Sequence, residues 1–235
     1  MICSNETEFR AQEPSRLPLA GGLALIFDLD GVVVDSMPVH TLAWQRYLAG
    51  LGIPTKEIAA RMHGRRNDEI VREFLGPGLP AHAIFEHGAA KERLYREMMA
   101  PHLIERLVLG VARFLWRSGA TPVALATNAE AANVAFVLDG AGLRQRFRCV
   151  ADGGQVSHPK PAPDIYLCCA AQLGIAPRNS IVFEDSPVGI EAARAAGMRV
   201  VGICTHSQPL HDVDLSVRDF LDPELEPWLA SQDLL

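Results

Sequence analysis

Short apolar runs alternate with helical patterns along most of this chain, and few folds accept that order. Leu23-Ala24-Leu25-Ile26-Phe27 is a continuous apolar run that ends in acidic residues and a glycine. That is the pattern of a buried strand delivering a loop at its carboxyl end. Comparable runs are Pro122-Val123-Ala124-Leu125-Ala126, Ser180-Ile181-Val182-Phe183 and Val200-Val201-Gly202-Ile203. Between them, Val111, Phe114 and Leu115 share one helical face, Val134, Val137, Leu138 and Ala141 a second, and Ile165, Cys168, Cys169 and Leu173 a third. Strand and helix in alternation predict a three-layer α/β fold: a doubly wound, Rossmann-like parallel sheet covered on both faces.

The first two predicted strands lie about 90 residues apart, far more than a crossover needs, and the interval has helical patterns of its own. An inserted helical cap domain is expected over 37–104. Its helices would cover Val39–Leu51, Asp68–Leu75 with Asn67 as N-cap, and Ala89–Met99. The core domain then comprises 22–36 and 105–235. A polar N-terminal tail, 1–21, carrying Glu6, Glu8, Glu13 and Pro14, precedes it.

Composition bounds the partners. With 49% hydrophobic and 21% charged residues, the chain is expected to fold. Its net charge of −6, with no basic run longer than Arg65-Arg66, gives no footprint for nucleic acid or a membrane surface. A small metabolite is the expected partner, and a monomer or weak homodimer the expected state. The apolar stretch Leu17–Phe27 is stopped by Asp28 and Asp30 and is too short to span a bilayer. Cys3, Cys149, Cys168, Cys169 and Cys204 form no CxxC pair and read as apolar fillers in a reducing compartment, which places the chain in the cytoplasm.

Asp28-Leu29-Asp30-Gly31 sets two carboxylates just beyond a buried strand, at the sheet edge where open α/β proteins bind ligands. Taken alone it could be an acidic turn closing a strand. Three further segments reach the same edge. Thr127-Asn128 follows the second strand and offers a hydroxyl, an amide and backbone N–H groups to phosphate oxygens, or could be a helix N-cap. Lys160, in His158-Pro159-Lys160-Pro161-Ala162-Pro163-Asp164, is a cation in a stiffened loop, or a solvated lysine. Glu184-Asp185 follows the third strand, as metal-binding acids or as a polar strand end. Together they supply acids for a hard metal and a cation with donors for an anion; Mg²⁺ needs only one or two carboxylates when phosphate and water complete its shell.

With these motifs in order, the chain resembles the haloacid dehalogenase superfamily, in the subgroup of β-phosphoglucomutase and small sugar-phosphate phosphatases. The motifs are Phe27-Asp28-Leu29-Asp30-Gly31-Val32-Val33-Val34-Asp35-Ser36, Ala126-Thr127-Asn128, Lys160-Pro161-Ala162-Pro163-Asp164 and Phe183-Glu184-Asp185-Ser186-Pro187-Val188-Gly189-Ile190. The resemblance implies that Asp28 attacks phosphorus to give an aspartyl phosphate, and that Asp30 protonates the leaving oxygen and then deprotonates water. It implies Mg²⁺ held by Asp28, the Asp30 carbonyl and Asp185, with Thr127, Asn128 and Lys160 on the phosphoryl group and Glu184 supporting from behind. Asp30 argues against dehalogenation, which needs neither a second acid nor magnesium.

For the cap, the resemblance points to His40 and Lys91 near the substrate. Packing of His40 against Trp44, and solvation of Lys91, are the alternatives. Met62-His63-Gly64-Arg65-Arg66-Asn67-Asp68-Glu69-Ile70 resembles the cap's specificity loop. Where the phosphoglucomutase pattern has an arginine followed three residues later by serine, an ungapped reading here gives Asn67 and Ile70, with the arginines at Arg65 and Arg66. The Gly-x-x-Asn-x-Glu-Ile run is closer to phosphatases of glycerol or sugar phosphates. A Mg²⁺-dependent phosphatase of a small phosphorylated metabolite is therefore expected, with a mutase as the second reading and a protein that kept the fold without turnover as the third.

Overall fold

A computed structural model of the chain describes residues 16, 17, 19, 21–55, 58, 61, 65–205 and 210–233. Its strands are β1 (Ala24–Phe27), β2 (Val123–Ala126), β3 (Cys149–Ala151), β4 (Ser180–Glu184), β5 (Arg199–Ile203) and β6 (Leu215–Val217). All pair in parallel, in the order β3-β2-β1-β4-β5-β6. β1 therefore lies between β2 and β4, where the strand order reverses, and such a switch point opens a crevice at the strands' carboxyl ends.

Every residue of β1, β2 and β4 is buried, as expected for strands covered on both faces. Leu25 and Phe27 point into one core layer, where Phe27 stacks on Phe183 at a 4.5 Å ring separation. Ile26 points into the other, with Ala124, Ala126 and Val182. Helices α4 (Val111–Arg117) and α5 (Ala131–Gly140) cover the first face; α6 (Asp164–Leu173) and α7 (Pro187–Ala195) cover the second. A short helix, α8 (Leu225–Ala230), packs Leu225 and Leu229 into the first layer.

Between β1 and α4 the described residues include the helices α1 (Met37–Gly50), α2 (Asn67–Leu75) and α3 (Ala81–Met99). They bury a separate apolar cluster of Trp44, Leu48, Ile58, Ile70, Val71 and Ile84. Among the described residues, no helix is long and apolar enough to cross a membrane.

The structure corrects several expectations. Asn67 does not cap α2: Arg66 holds that position, and the Asn67 amide donates to Glu92 Oε1 at 2.6 Å. A buried carboxylate needs donors more than a surface helix end does. Helix α3 begins eight residues before Ala89, because His82, Glu86, His87 and Gly88 blur its apolar stripe. Strands β3 and β6 escape the sequence pattern, being too short to show alternation. Leu17, within the expected N-terminal tail of 1–21, is buried, and its N–H donates to the Arg117 carbonyl at 3.1 Å. Residues 1–15 of that tail, and Met62, His63 and Gly64 of the expected specificity loop, lie outside the described residues.

Candidate active site

β1, β2 and β4 are each followed directly by a residue of the crevice floor: Asp28, Thr127 and Asp185 respectively. Lys160, in the loop between β3 and α6, completes it. Its ammonium donates to Asp28 Oδ1 at 2.6 Å, Glu184 Oε1 at 2.7 Å and the Ala126 carbonyl at 3.0 Å. All three donor positions are filled, so the ammonium is fixed in place. Burial would lower the Lys160 ammonium, but Asp28 and Glu184 hold it above the ordinary lysine range. A solvated lysine is excluded.

Glu184 is fully buried and saturated. Oε1 accepts from Lys160 and from the Tyr166 hydroxyl at 2.8 Å; Oε2 accepts from the Asp185 N–H at 2.9 Å and from the Ser186 N–H and hydroxyl, each at 3.0 Å. Burial opposes its charge, yet Lys160 and these donors hold it below the usual carboxylate range. Ser186 also caps α7 by accepting from the Gly189 N–H at 3.2 Å. A Cβ on Gly189 would come within 1.7 Å of Glu184 Oε1, so glycine is required where the carboxylate passes under the helix.

The remaining acids are not neutralised in this way. Burial pushes the Asp28 carboxyl up to about 7, against Lys160, with Glu184 and Asp30 adding to the rise. Burial, then Glu184, Asp28 and Asp30, push Asp185 well above the carboxylate range. A Cβ on Gly31 would lie 1.9 Å from Asp185 Oδ2, so the Asp185 carboxylate occupies space that only glycine leaves open. Among the described residues no three His, Cys, Asp or Glu side chains form a ready metal cage. Two under-compensated carboxylates nevertheless form the sparsely acidic oxygen donor set that suits Mg²⁺.

Asp30 has different company. Oδ1 accepts from the Ser36 hydroxyl at 2.5 Å and faces His40 Nε2 at 3.5 Å. Burial would raise its carboxyl; His40 and Ser36 hold it below the ordinary value. Thr127 Oγ1 accepts from the Ala129 N–H at 3.1 Å, and Asn128 Oδ1 from the Lys160 N–H at 3.3 Å, which leaves the Asn128 amide donors toward the crevice.

The helical unit roofs a cavity of about 600 Å³. His40, Arg65, Arg66, Asn67 and Lys91 all line it. His40 is buried and stacks on Tyr95 at 3.7 Å, while Trp44, a member of the unit's own apolar cluster, also lines the cavity, with Lys91 Nζ 5.1 Å from its ring centre. Lys91 is only 2% exposed, with Nζ 2.6 Å from Glu92 Oε1 and 3.1 Å from His40 Nδ1. Arg65 is tied to Glu73 and Glu69, and Arg66 to Asp68 at 3.5 Å. Sequence reasoning gave no role to Ser36, the last residue of the first motif, and missed Tyr166, Glu92 and Asn133, which belong to no reactive motif; all four hold other site residues in place. Gly189 inside a helix was the available signal for the packed carboxylate.

Fold and crevice define a class: an α/β enzyme that gathers acids and a buried lysine at the sheet's switch point, under a helical roof. Residues 23–197 match the model of the haloacid dehalogenase-like hydrolases. Fructose-1-phosphate phosphatase YqaB of Escherichia coli strain K12 is 35% identical over 183 residues, covering 76% of this chain and 95% of that protein. β-Phosphoglucomutase of Bacillus subtilis strain 168 is 30% identical over 210 residues, covering 86% of this chain and 92% of that one. The crystal structure of β-phosphoglucomutase from Clostridium difficile superposes with a TM-score of 0.75 at 26% identity, over 88% of this chain and 96% of the other. The chain belongs to the haloacid dehalogenase-like hydrolase family.

Proposed function

We propose that this protein is a Mg²⁺-dependent phosphatase that hydrolyses a small sugar or polyol monophosphate through an aspartyl phosphate on Asp28. The observation that carries the choice of phosphatase over mutase is the charge of the roof. A bisphosphate intermediate needs cations for its second phosphate. Here Lys91 is joined to Glu92, Arg65 to Glu69 and Glu73, and Arg66 to Asp68. Arg72 is the other lining arginine, and it is exposed, where water and salt weaken its hold on an anion. The floor is built for one phosphate and the roof for a neutral, hydroxylated remainder.

Asp28, Asp185 and the Asp30 carbonyl would hold Mg²⁺, which when bound offsets the repulsion between an anionic nucleophile and an anionic phosphate. An Asp28 oxygen forms the bond to phosphorus as the bond to the leaving oxygen breaks. Asp30, ionised in the free enzyme, would take up a proton as the anionic substrate binds beside it, deliver that proton to the leaving oxygen, and then take one from the water that hydrolyses the phosphoenzyme. Lys160 fixes the Asp28 carboxylate at 2.6 Å, and Thr127 and Asn128 supply donors to the phosphoryl oxygens. In this reading the helical unit, 37–104, is the cap that excludes water over a core of 22–36 and 105–235. The free thiols of Cys149, Cys168, Cys169 and Cys204 support a cytoplasmic setting.

The test is to incubate the enzyme with Mg²⁺ and a panel of sugar and polyol monophosphates, one arm holding β-glucose 1-phosphate with a trace of β-glucose 1,6-bisphosphate. Net release of inorganic phosphate is expected. Glucose 6-phosphate appearing much faster than phosphate in the bisphosphate arm would replace the phosphatase with the mutase.

A further inference from the structure

The chemistry assigned to the crevice floor leaves a buried polar network unused. Glu92 is 4% exposed and accepts from side chains of three elements. Oε1 takes Lys91 Nζ of α3 and Asn67 Nδ2 of α2, each at 2.6 Å; Oε2 takes Asn133 Nδ2 of α5 at 2.8 Å. Asn133 belongs to the sheet domain and is 3% exposed. Its Oδ1 accepts from Arg96 of α3 at 2.6 Å, and that guanidinium also donates to Glu130 at 2.5 Å. The Asn133 amide thus gives to a carboxylate on one side and receives from a guanidinium on the other. Turning it over would break both bonds.

A buried polar network is stable when every member is satisfied and costly when one is not. This one is completed only when α3 lies against α5, that is, when the helical unit is seated on the sheet domain. Its other end leads to the chemistry. Lys91 Nζ stands 3.1 Å from His40 Nδ1, and His40 Nε2 stands 3.5 Å from Asp30 Oδ1. Displacing Glu92 would therefore release Lys91 and unseat the imidazole beside the acid.

We propose that Glu92 and Asn133 form a latch that seats the helical unit over the crevice before substrate arrives, and that Glu92 is thereby a positioning residue acting on Asp30 through Lys91 and His40. The kinetic part of the test rests on the phosphatase reading; the structural part does not. Glu92→Gln keeps shape but turns an amide N–H₂ toward Lys91 or Asn133, setting donor against donor. Asn133→Ala removes the sheet-domain half and guards against a Glu92 variant that fails to fold. Wild type and both variants are compared without substrate by amide hydrogen exchange, and with Mg²⁺ and the best panel substrate by steady-state kinetics. Exchange over residues 81–95 should quicken at least about tenfold in both variants with the strands unaffected. kcat should fall at least about tenfold while KM stays within about threefold. Unchanged exchange in both variants, or a raised KM with intact kcat, overturns the latch. If the wild type hydrolyses no panel member, the phosphatase reading fails and the exchange result alone decides the latch.

Discussion

Replacing Lys160 by methionine separates the electrostatic role of the ammonium from its catalytic one. The side chain is 3% exposed and donates to Asp28, Glu184 and the Ala126 carbonyl. Methionine fills the volume but leaves two buried carboxylates facing each other without a cation. Breaking a buried pair this way costs about 3–5 kcal/mol, a large share of the roughly 5–15 kcal/mol that holds an ordinary domain together. The variant should fold at neutral pH, with its urea midpoint clearly lowered and its slope unchanged. Adding Glu184→Gln should restore about 2 kcal/mol or more, because a neutral amide can still accept from the Asp185 and Ser186 N–H groups while its N–H₂ meets Tyr166. Turnover should stay absent in both variants. Lys160→Met losing less than about 1 kcal/mol, or the double variant proving no more stable than the single, would show that the ammonium does not compensate the two acids.

Gly189→Ala should lower kcat by about 100-fold, because its Cβ would meet Glu184 Oε1 at 1.7 Å and the displaced carboxylate carries Lys160 with it; wild-type kcat would refute the packing argument. Tyr166→Phe removes one donor from a buried charged group and should cost about 1.5–3 kcal/mol in urea denaturation, less than Lys160→Met. Burial pushes the Asp28 carboxyl from the ordinary 3.8 up to about 7. Its protonated form therefore favours the fold, a contribution fully present below its unfolded value and lost as pH rises through about 7. In the proposed site Mg²⁺ would take the place of that proton, so the gain in Tm on adding Mg²⁺ should be larger near about pH 8 than near about pH 5, and the reverse order would remove Asp28 from the metal site.

The sheet and the gathering of motifs at its edge were legible because each rests on local chemistry. A continuous apolar run such as Leu23–Phe27 has one economical use, and an acid directly after it can only emerge at the strand's carboxyl end. The roof was less legible. Nothing in the sequence distinguishes Lys91, held inside by Glu92, from a solvated helix lysine, since the acid that keeps it there is its own neighbour and the donors that satisfy that acid are Asn67 and Asn133, 25 and 41 residues away in sequence. Asn67 reads as an N-cap for the same reason: local rules cannot see a distant buried acceptor. Strands β3 and β6 are set by pairing with β2 and β5, not by their own composition.

The central claim is a covalent bond between phosphate and Asp28. A rapid acid quench during turnover of the best substrate with Mg²⁺, followed by borohydride reduction, converts an aspartyl phosphate to homoserine, which peptide mass spectrometry locates. The account predicts homoserine at position 28 in wild type and none in Asp28→Asn, which should also be inactive while folded. Homoserine at another acid, or none at 28 in an enzyme caught in active turnover, would contradict it.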